Sequence, residues 1–476
     1  GETESTMNIG GAEISATYSY SNSINITDAL PGNDVIAYKD ITLTYKNTSS
    51  EEYKVYLKAV IDYSTFTNTE NDGVLYYDIY SGTDHSTLVQ EQIIFPTITY
   101  GKSILKEISI PANSTGTLNY RINFYFLESD KLQNPDGQLV LNASISVESD
   151  NSLKYTPTLL KKLDLMYQYE SGTNGLEQDD TTNKNIRYVG ASPKNYLKFN
   201  NEIWRIIGVF NNITTIDELE LGKEKKELLV KIVRNESLGN YSWDTTDSTI
   251  NNGDGINEWS QADLMYELNC DGSSNSIYCR DETKDGYLSD ITSGTVYWYD
   301  NKNNSKVGKY DYSKNIKISA INQIANVEWN LGGTSSGTSS SASALSSYTQ
   351  ERGTTHVSNP ADGVTRTNTW DGKIGLMYPS DYGYASTNKA CRNQMNSSTN
   401  NEYNCKYDNW LFTGLWEWTF SPYYNNTTNT RSIYSDGRVY VSGARNGHAV
   451  RPALFLKSDV VISGGTGTES DPYVID

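Results

Sequence analysis

The sequence predicts a mostly β protein with a few helices, in which an N-terminal β-sandwich is followed by an α+β domain. Two observations carry this. Tyrosine is abundant, at 37 residues against nine Phe and nine Trp, and is interspersed with Thr, Asn, Ser and Gly. Tyr and Thr favour strands, while Asn, Gly and Ser favour turns. Apolar residues recur with period two through residues 1–155 and take helical spacing only in short stretches beyond.

In chain order, strands are expected at 13–19, 37–46, 53–63, 117–127 and 139–147. In the third, Tyr53, Val55, Leu57 and Ala59 alternate with Lys54, Tyr56, Lys58 and Val60, the pattern of a half-buried strand. Pro31-Gly32 and Pro135-Asp136-Gly137 supply turn chemistry. The period changes at 157–169, where Leu159, Leu160, Leu163 and Met166 predict one short helix. The polar stretch 170–185 reads as a linker. The domains are therefore assigned as 1–155 for the sandwich, 156–185 for helix and linker, and 186–476 for a binding domain. In the last, strands are expected at 204–210, 228–234, 374–378, 414–421, 438–442 and 450–456. A helix is expected at 260–268, capped by Ser260, and another at 318–329, ending near Gly332-Gly333. The Ser-rich stretch 334–347 reads as an exposed flexible loop. Trp204, Trp243, Trp329, Trp416 and Arg451 are expected to organise this domain's core.

A chain of 476 residues exceeds one ordinary domain. Lys and Arg number 39 against 58 Asp and Glu, a net charge of −19. Such a surface repels phosphate backbones, so nucleic acid is not an expected partner. No apolar run reaches the roughly 18 residues of a membrane-spanning helix, so no transmembrane segment is expected.

The residues available for chemistry are few. The histidines are His85, His356 and His448, with no metal-binding spacing among them. No serine occupies a G-x-S-x-G elbow, so His448 reads as a loop histidine rather than a catalytic base. Glu417 lies between Trp416 and Trp418, which resembles a sugar platform with an acid, yet alternation puts it on the opposite face, and a solvent-facing position is expected. No catalytic residue is assigned and an enzyme is not expected. Cys270/Cys279 and Cys391/Cys405 form two close pairs without C-x-x-C spacing, and two local disulfides are expected. Asp244, Asp247, Asp254, Asn257 and Glu258 cluster in a Gly-containing loop, and hard oxygen ligands there would suit structural calcium, the one cofactor considered. The stretch 421–448 combines Tyr423, Tyr424, Tyr434 and Tyr440 with Asn425, Asn426, Asn429 and Asn446, and adds Arg445 and His448. Binding surfaces use this mixture, because Tyr gives large contact area at low entropy cost and Asn adapts its hydrogen bonds. A ligand-binding surface is expected there.

Two resemblances sharpen these readings. Ile26-Thr27-Asp28-Ala29-Leu30-Pro31-Gly32, followed by Ile41-Thr42-Leu43-Thr44-Tyr45-Lys46-Asn47-Thr48, resembles the camelysin/TasA group of Gram-positive surface and biofilm-fibre proteins. That resemblance implies a jelly-roll sandwich, secretion and assembly by donation of an N-terminal strand. Phe199-Asn200-Asn201-Glu202-Ile203-Trp204, Gly375-Leu376-Met377-Tyr378-Pro379-Ser380-Asp381-Tyr382 and the closing run from Trp416-Glu417-Trp418 to Val450-Arg451-Pro452 look like C-type-lectin-like domains of Firmicutes surface proteins. The same closing pattern occurs in formylglycine-generating-enzyme-like domains and retroelement-diversified variable proteins. In the latter, the stretch between the tryptophan strand and the V-R-P strand is the ligand face.

The combined expectation is a non-enzymatic extracellular protein of the bacterial surface. As a filament subunit it would self-associate by donating a strand carrying Ile14, Ala16 and Tyr18, and would display its second domain to a host or microbial surface protein or glycan. A monomeric adhesin is the alternative, and a carbohydrate-active enzyme a weaker third.

Overall fold

The computed structural model describes residues 3–66, 74–96, 101–128, 139–170, 172, 175–216, 223–269, 316, 318–336, 338 and 342–475. It is mostly β and divides into two compact units, Gly1–Pro157 and Thr158–Asp476.

Among the described residues the first unit has ten strands: β1 (Thr3–Ile9), β2 (Ala12–Tyr18), β3 (Ser23–Ile26), β4 (Ala37–Asn47), β5 (Tyr53–Ser64), β6 (Leu75–Ser81), β7 (Thr87–Ile94), β8 (Gly101–Ile110), β9 (Ser114–Phe126) and β10 (Leu141–Glu148). They form a six-stranded sheet, β1-β2-β4-β9-β6-β7, and a four-stranded sheet, β3-β10-β5-β8. The strands exist because their sequences alternate. In β10, Leu141, Ala143, Ile145 and Val147 are buried while the residues between them are partly exposed. Residues of both sheets share one core that includes Ile14, Leu43, Leu57, Ile79, Ile122 and Ile145. Burying each such side chain contributes roughly 1.5–3 kcal/mol. β5 departs from simple alternation, because Lys58 is wholly buried. Its ammonium donates to Glu148 Oε2 at 2.6 Å and to the Ser152 carbonyl at 2.6 Å, which makes the burial tolerable.

The donor-strand expectation needs correction. Ile14, Ala16 and Tyr18 belong to β2, which lies between β1 and β4 and is not an edge. All three side chains are core. Gly10 makes this possible: at φ +54° it takes the left-handed turn conformation that folds β1 back onto β2. The edge strand on this side of the sheet is β1.

In the second unit, helix α1 (Leu159–Glu170) forms where the spacing changes, but it is not a free connector. Leu159, Leu163 and Met166 enter the second unit's core, and the Leu159 amide donates to the Val460 carbonyl at 2.9 Å. The expected linker is structured too: Asp179, Thr181 and Asn185 are buried, and Asn185 Nδ2 donates to Asp179 Oδ2 at 3.1 Å.

The second unit's main sheet centres on two long antiparallel strands, Glu202–Ile216 and Glu224–Arg234. Against it packs a tryptophan cluster. Trp259 meets Trp243 at 5.3 Å and Phe420 at 4.7 Å between ring centroids, and Trp329 meets Phe420 at 5.0 Å. Trp204, Trp243, Trp329 and Arg451 are buried as expected, but Trp416 is 43% exposed and outside the core.

Other local expectations shift. The stretch 318–329 is a short helix, Ile318–Ile321, followed by a strand, Val327–Asn330. Ser260 lies inside a 3-10 turn, Trp259–Gln261, whose cap is Glu258, and the α-helix starts later, at Asp263–Asn269. In 334–347, Thr334, Ala342 and Ala344 are buried, and a helix, Ala344–Glu351, begins where exposed loop was expected. Only Ile374–Gly375 of the stretch 374–378 is strand, and a helix, Pro379–Tyr384, follows. Among the described residues no helix is long and apolar enough to cross a membrane.

Candidate ligand-binding face

A five-stranded sheet holds the candidate site, in the order Asn240–Ser242, Gly447–Ala449, Glu417–Pro422, Asn429–Ile433, Val439–Gly443. Trp418 pairs with Ser432, and Ser432 with Tyr440, so these side chains share one side of the sheet. Period two carries Trp416 and Tyr434 to the same side. Their rings stack at 4.0 Å with an interplanar angle of 28°. Tyr440 meets Tyr434 edge-on at 5.9 Å, and the Arg438 guanidinium lies 4.7 Å from the Tyr434 ring. Tyr434 donates its hydroxyl to the Val441 carbonyl at 2.6 Å, which fixes the ring's tilt.

The other side of the sheet is core, and here Glu417 is corrected. Alternation does place it opposite the tryptophans, but that side is dry, and Glu417 is buried. Burial raises its carboxyl above the ordinary range, with Arg451 pulling the other way. Arg451 Nη2 donates to Glu417 Oε2 at 3.1 Å and to the Leu411 carbonyl at 2.7 Å. With both carboxylate oxygens engaged by a buried guanidinium, Glu417 is a structural anchor rather than a reacting acid.

His448 is a strand residue, not a loop one, and is buried against Trp418 at 4.3 Å and Trp416 at 5.4 Å. Nδ1 lies 2.9 Å from the Gly447 carbonyl, an acceptor only, so the proton belongs on Nδ1. Nε2 then accepts from the Ser442 hydroxyl at 2.7 Å. Burial pushes the imidazole down to about 4, so it is neutral at physiological pH. Among the described residues the ring's hydrogen bonds go to Ser442 and to the Gly447 carbonyl, not to the carboxylate of a Ser-His-Asp arrangement.

A groove of about 550 Å³ opens beside this cluster, lined by Asn240, Leu415, Trp416, Asn446 and His448 among others. Tyr434, Tyr440, Asn446 and His448 of the expected binding residues thus gather around Trp416 or its stack. Tyr423, Tyr424, Asn425 and Asn426 lie elsewhere. The Tyr423 amide donates to the Asn429 carbonyl, at the opposite end of the Asn429–Ile433 strand from Tyr434. A five-residue strand spans roughly 15 Å. Asn429 pairs with Gly443, and its side chain accepts from the Thr428 hydroxyl at 3.2 Å. Arg445 is exposed and pairs with Asp254 at 3.0 Å.

The loop 423–429 is locked from beneath by Asn257, whose Nδ2 donates to the carbonyls of Tyr423, Asn426 and Asn429 at 3.2, 2.9 and 2.8 Å. Asn257 Oδ1 accepts from Arg366 Nε at 3.0 Å. This reassigns a residue expected to hold calcium. The rest of that set is also occupied internally. Asp244 accepts from the amides of Ile256 and Asp263, Asp247 from Thr249, and Glu258 from Ser260 and Thr367. Asp254 holds Arg445. The five do not converge, and among the described residues no group of three His, Cys, Asp or Glu does.

Cys391 and Cys405 form a disulfide with Cα atoms 4.7 Å apart. Cys270 and Cys279 lie outside the described residues. Sequence reasoning missed the roles of Asn257, Arg366 and Asn240 in this region, since nothing in a sequence marks which carbonyls a buried Asn will meet.

Compared with known proteins, the chain matches no protein-family model and no curated protein.

Proposed function

We propose that this is a non-catalytic binding protein of the bacterial cell surface whose second unit takes its ligand on the Trp416 face. The observation that carries this is Trp416 itself: a tryptophan 43% exposed and stacked flat on Tyr434 at one end of the sheet, just before the strand Glu417–Pro422 and just after the strand Asn429–Ile433. Soluble surfaces seldom leave such a ring pre-ordered and wet unless it meets a partner. The disulfide Cys391–Cys405 fits an oxidising compartment, and the acidic surface fits life outside the cell. The resemblance of the closing run to C-type-lectin-like and retroelement-diversified domains points to the same face.

The test is binding of labelled protein to bacterial and host cells. The double variant Trp416→Ala/Tyr434→Ala should lose at least tenfold in affinity, with its melting temperature little changed. Equal binding by wild type and variant would remove the face from consideration.

A second reading, assembly into filaments, is favoured by one observation. β7 is an edge strand on which Leu88, Val89, Ile93 and Ile94 are all exposed, at the opposite end of its sheet from β1. Exposed apolar edges invite strand addition by another copy. Negative-stain microscopy should show filaments that disappear on deleting residues 1–10 or on Val89→Lys. Dispersed particles in all samples would leave the monomeric adhesin.

A further inference from the structure

We infer that the groove beside Trp416 receives an uncharged saccharide ring of a glycan. This rests on the reading that the Trp416 face is the binding face and names the class of ligand it takes. Three observations converge on it.

The first is the platform. Tyr434 covers one face of the Trp416 indole at 4.0 Å, and the indole's remaining exposed surface lines the groove with Leu415. The axial C–H bonds of a pyranose carry slight positive charge and pack well on the negative face of an aromatic ring. The platform is fixed before any ligand arrives, because Tyr434 is held by the Val441 carbonyl and flanked by Tyr440. Binding therefore costs little ordering of the protein.

The second is the set of unused polar atoms around it. Asn240 is exposed and, among the described residues, its side-chain amide makes no hydrogen bond, although it lines the groove. Asn446 spends Nδ2 on the Ser442 hydroxyl at 3.0 Å, leaving its amide oxygen to accept. Among the described residues the Trp416 indole N–H meets no acceptor, in contrast to that of Trp418, which donates to the Tyr241 carbonyl at 2.7 Å. Donors and acceptors thus stand side by side around the ring, as sugar hydroxyls require, each being both donor and acceptor.

The third is the absence of charge in the lining. Its one titratable ring, His448, is neutral, and its nitrogens are taken up by Gly447 and Ser442. The neighbouring Arg445 is paired with Asp254, and Arg438 with Asp436 at 3.2 Å. A sialylated or sulfated sugar would find no free cation in the groove wall, whereas a neutral one loses nothing by entering. The volume, about 550 Å³, lies in the range of small-ligand clefts and accommodates a short saccharide.

The experiment is a glycan array carrying neutral, sialylated and sulfated members, followed by calorimetry on the strongest hit with wild type, Trp416→Ala, Asn240→Ala and Tyr424→Ala. Neutral glycans are expected to bind. Trp416→Ala should lower affinity at least tenfold and Asn240→Ala about threefold, while Tyr424→Ala, at the far end of the sheet, should leave it unchanged. Asn240 is exposed and, among the described residues, makes no side-chain hydrogen bond, so its variant keeps the test sound if Trp416→Ala misfolds. Preference for anionic glycans would overturn the inference, as would an array on which nothing binds. Cell binding that depends on Trp416 but survives enzymatic deglycosylation would overturn the saccharide while keeping the binding face. Cell binding indifferent to Trp416 would overturn both.

Discussion

At the scale of single residues, two buried groups have measurable consequences. An unfolded histidine takes a proton near pH 6.5, but folded His448 resists until about 4. The unfolded state therefore binds more protons in that window, and stability falls as pH drops from 6.5 towards 4, by up to about 1.4 kcal/mol per pH unit. Urea melts should show this slope, and His448→Gln should flatten it. Parallel slopes in wild type and variant would mean that another group is responsible. Glu417 and Arg451 behave as a unit. Arg451→Ala strands a buried carboxylate and should cost about 3–5 kcal/mol, whereas Glu417→Leu/Arg451→Met removes both charges and should cost less. Chemical denaturation of the single and double variants separates these outcomes.

Elements are held by cross-links that the periodicity of the chain does not reveal. The Cys391–Cys405 disulfide closes a loop with a sequence separation of 14, and its loss should destabilise by about 3 kcal/mol. Cys391→Ala/Cys405→Ala should lower the melting temperature of the second unit, and dithiothreitol should lower it more in wild type than in the variant. The helix Ala344–Glu351 ends on Glu351, whose carboxyl burial raises to about 7. Here the sign is opposite to that of His448. The unfolded carboxyl ionises near 4.5 while the folded one keeps its proton, so stability falls as pH rises from 4.5 to 7. Glu351→Gln should abolish that fall in thermal melts, and an unaltered profile would exclude Glu351 as its source. Nearby, burial by itself would raise Asp381, but Lys231 at 2.6 Å and Arg187 at 2.9 Å hold it below the ordinary carboxylate range. That network joins the helix Pro379–Tyr384 to the long strand Glu224–Arg234 and to the strand Ile186–Tyr188, from which Arg187 also pairs with Asp179 of the expected linker at 2.8 Å.

At the scale of the whole molecule, each unit has its own hydrophobic core, and the two cores share no residue. Residues 1–157 and 158–476 should each fold when expressed alone. Differential scanning calorimetry of either piece should then reproduce one transition of the full chain. A fragment that stays unfolded would show that its unit depends on the other.

What the sequence determined by itself was local. Alternation placed β2, β4, β5, β9 and β10 close to where they lie, and helical spacing placed α1, because strand and helix periods are written in neighbouring residues. The gathering of Tyr434, Tyr440, Asn446 and His448 was also legible as a compositional enrichment. Only the tertiary structure decided which face is wet. Trp416 and Trp418 lie two residues apart, yet one is 43% exposed and the other 1%, because Trp418 packs on His448 and donates its indole N–H to the Tyr241 carbonyl inside the sheet, whereas Trp416 stands just outside the strand Glu417–Pro422. Glu417 became core for the complementary reason that a buried Arg451 was there to receive it. Ile14, Ala16 and Tyr18 look like any edge strand until β1 folds over them. Periodicity is a property of adjacent residues, whereas exposure depends on what distant segments bring to each face, and no stretch of sequence contains that information alone.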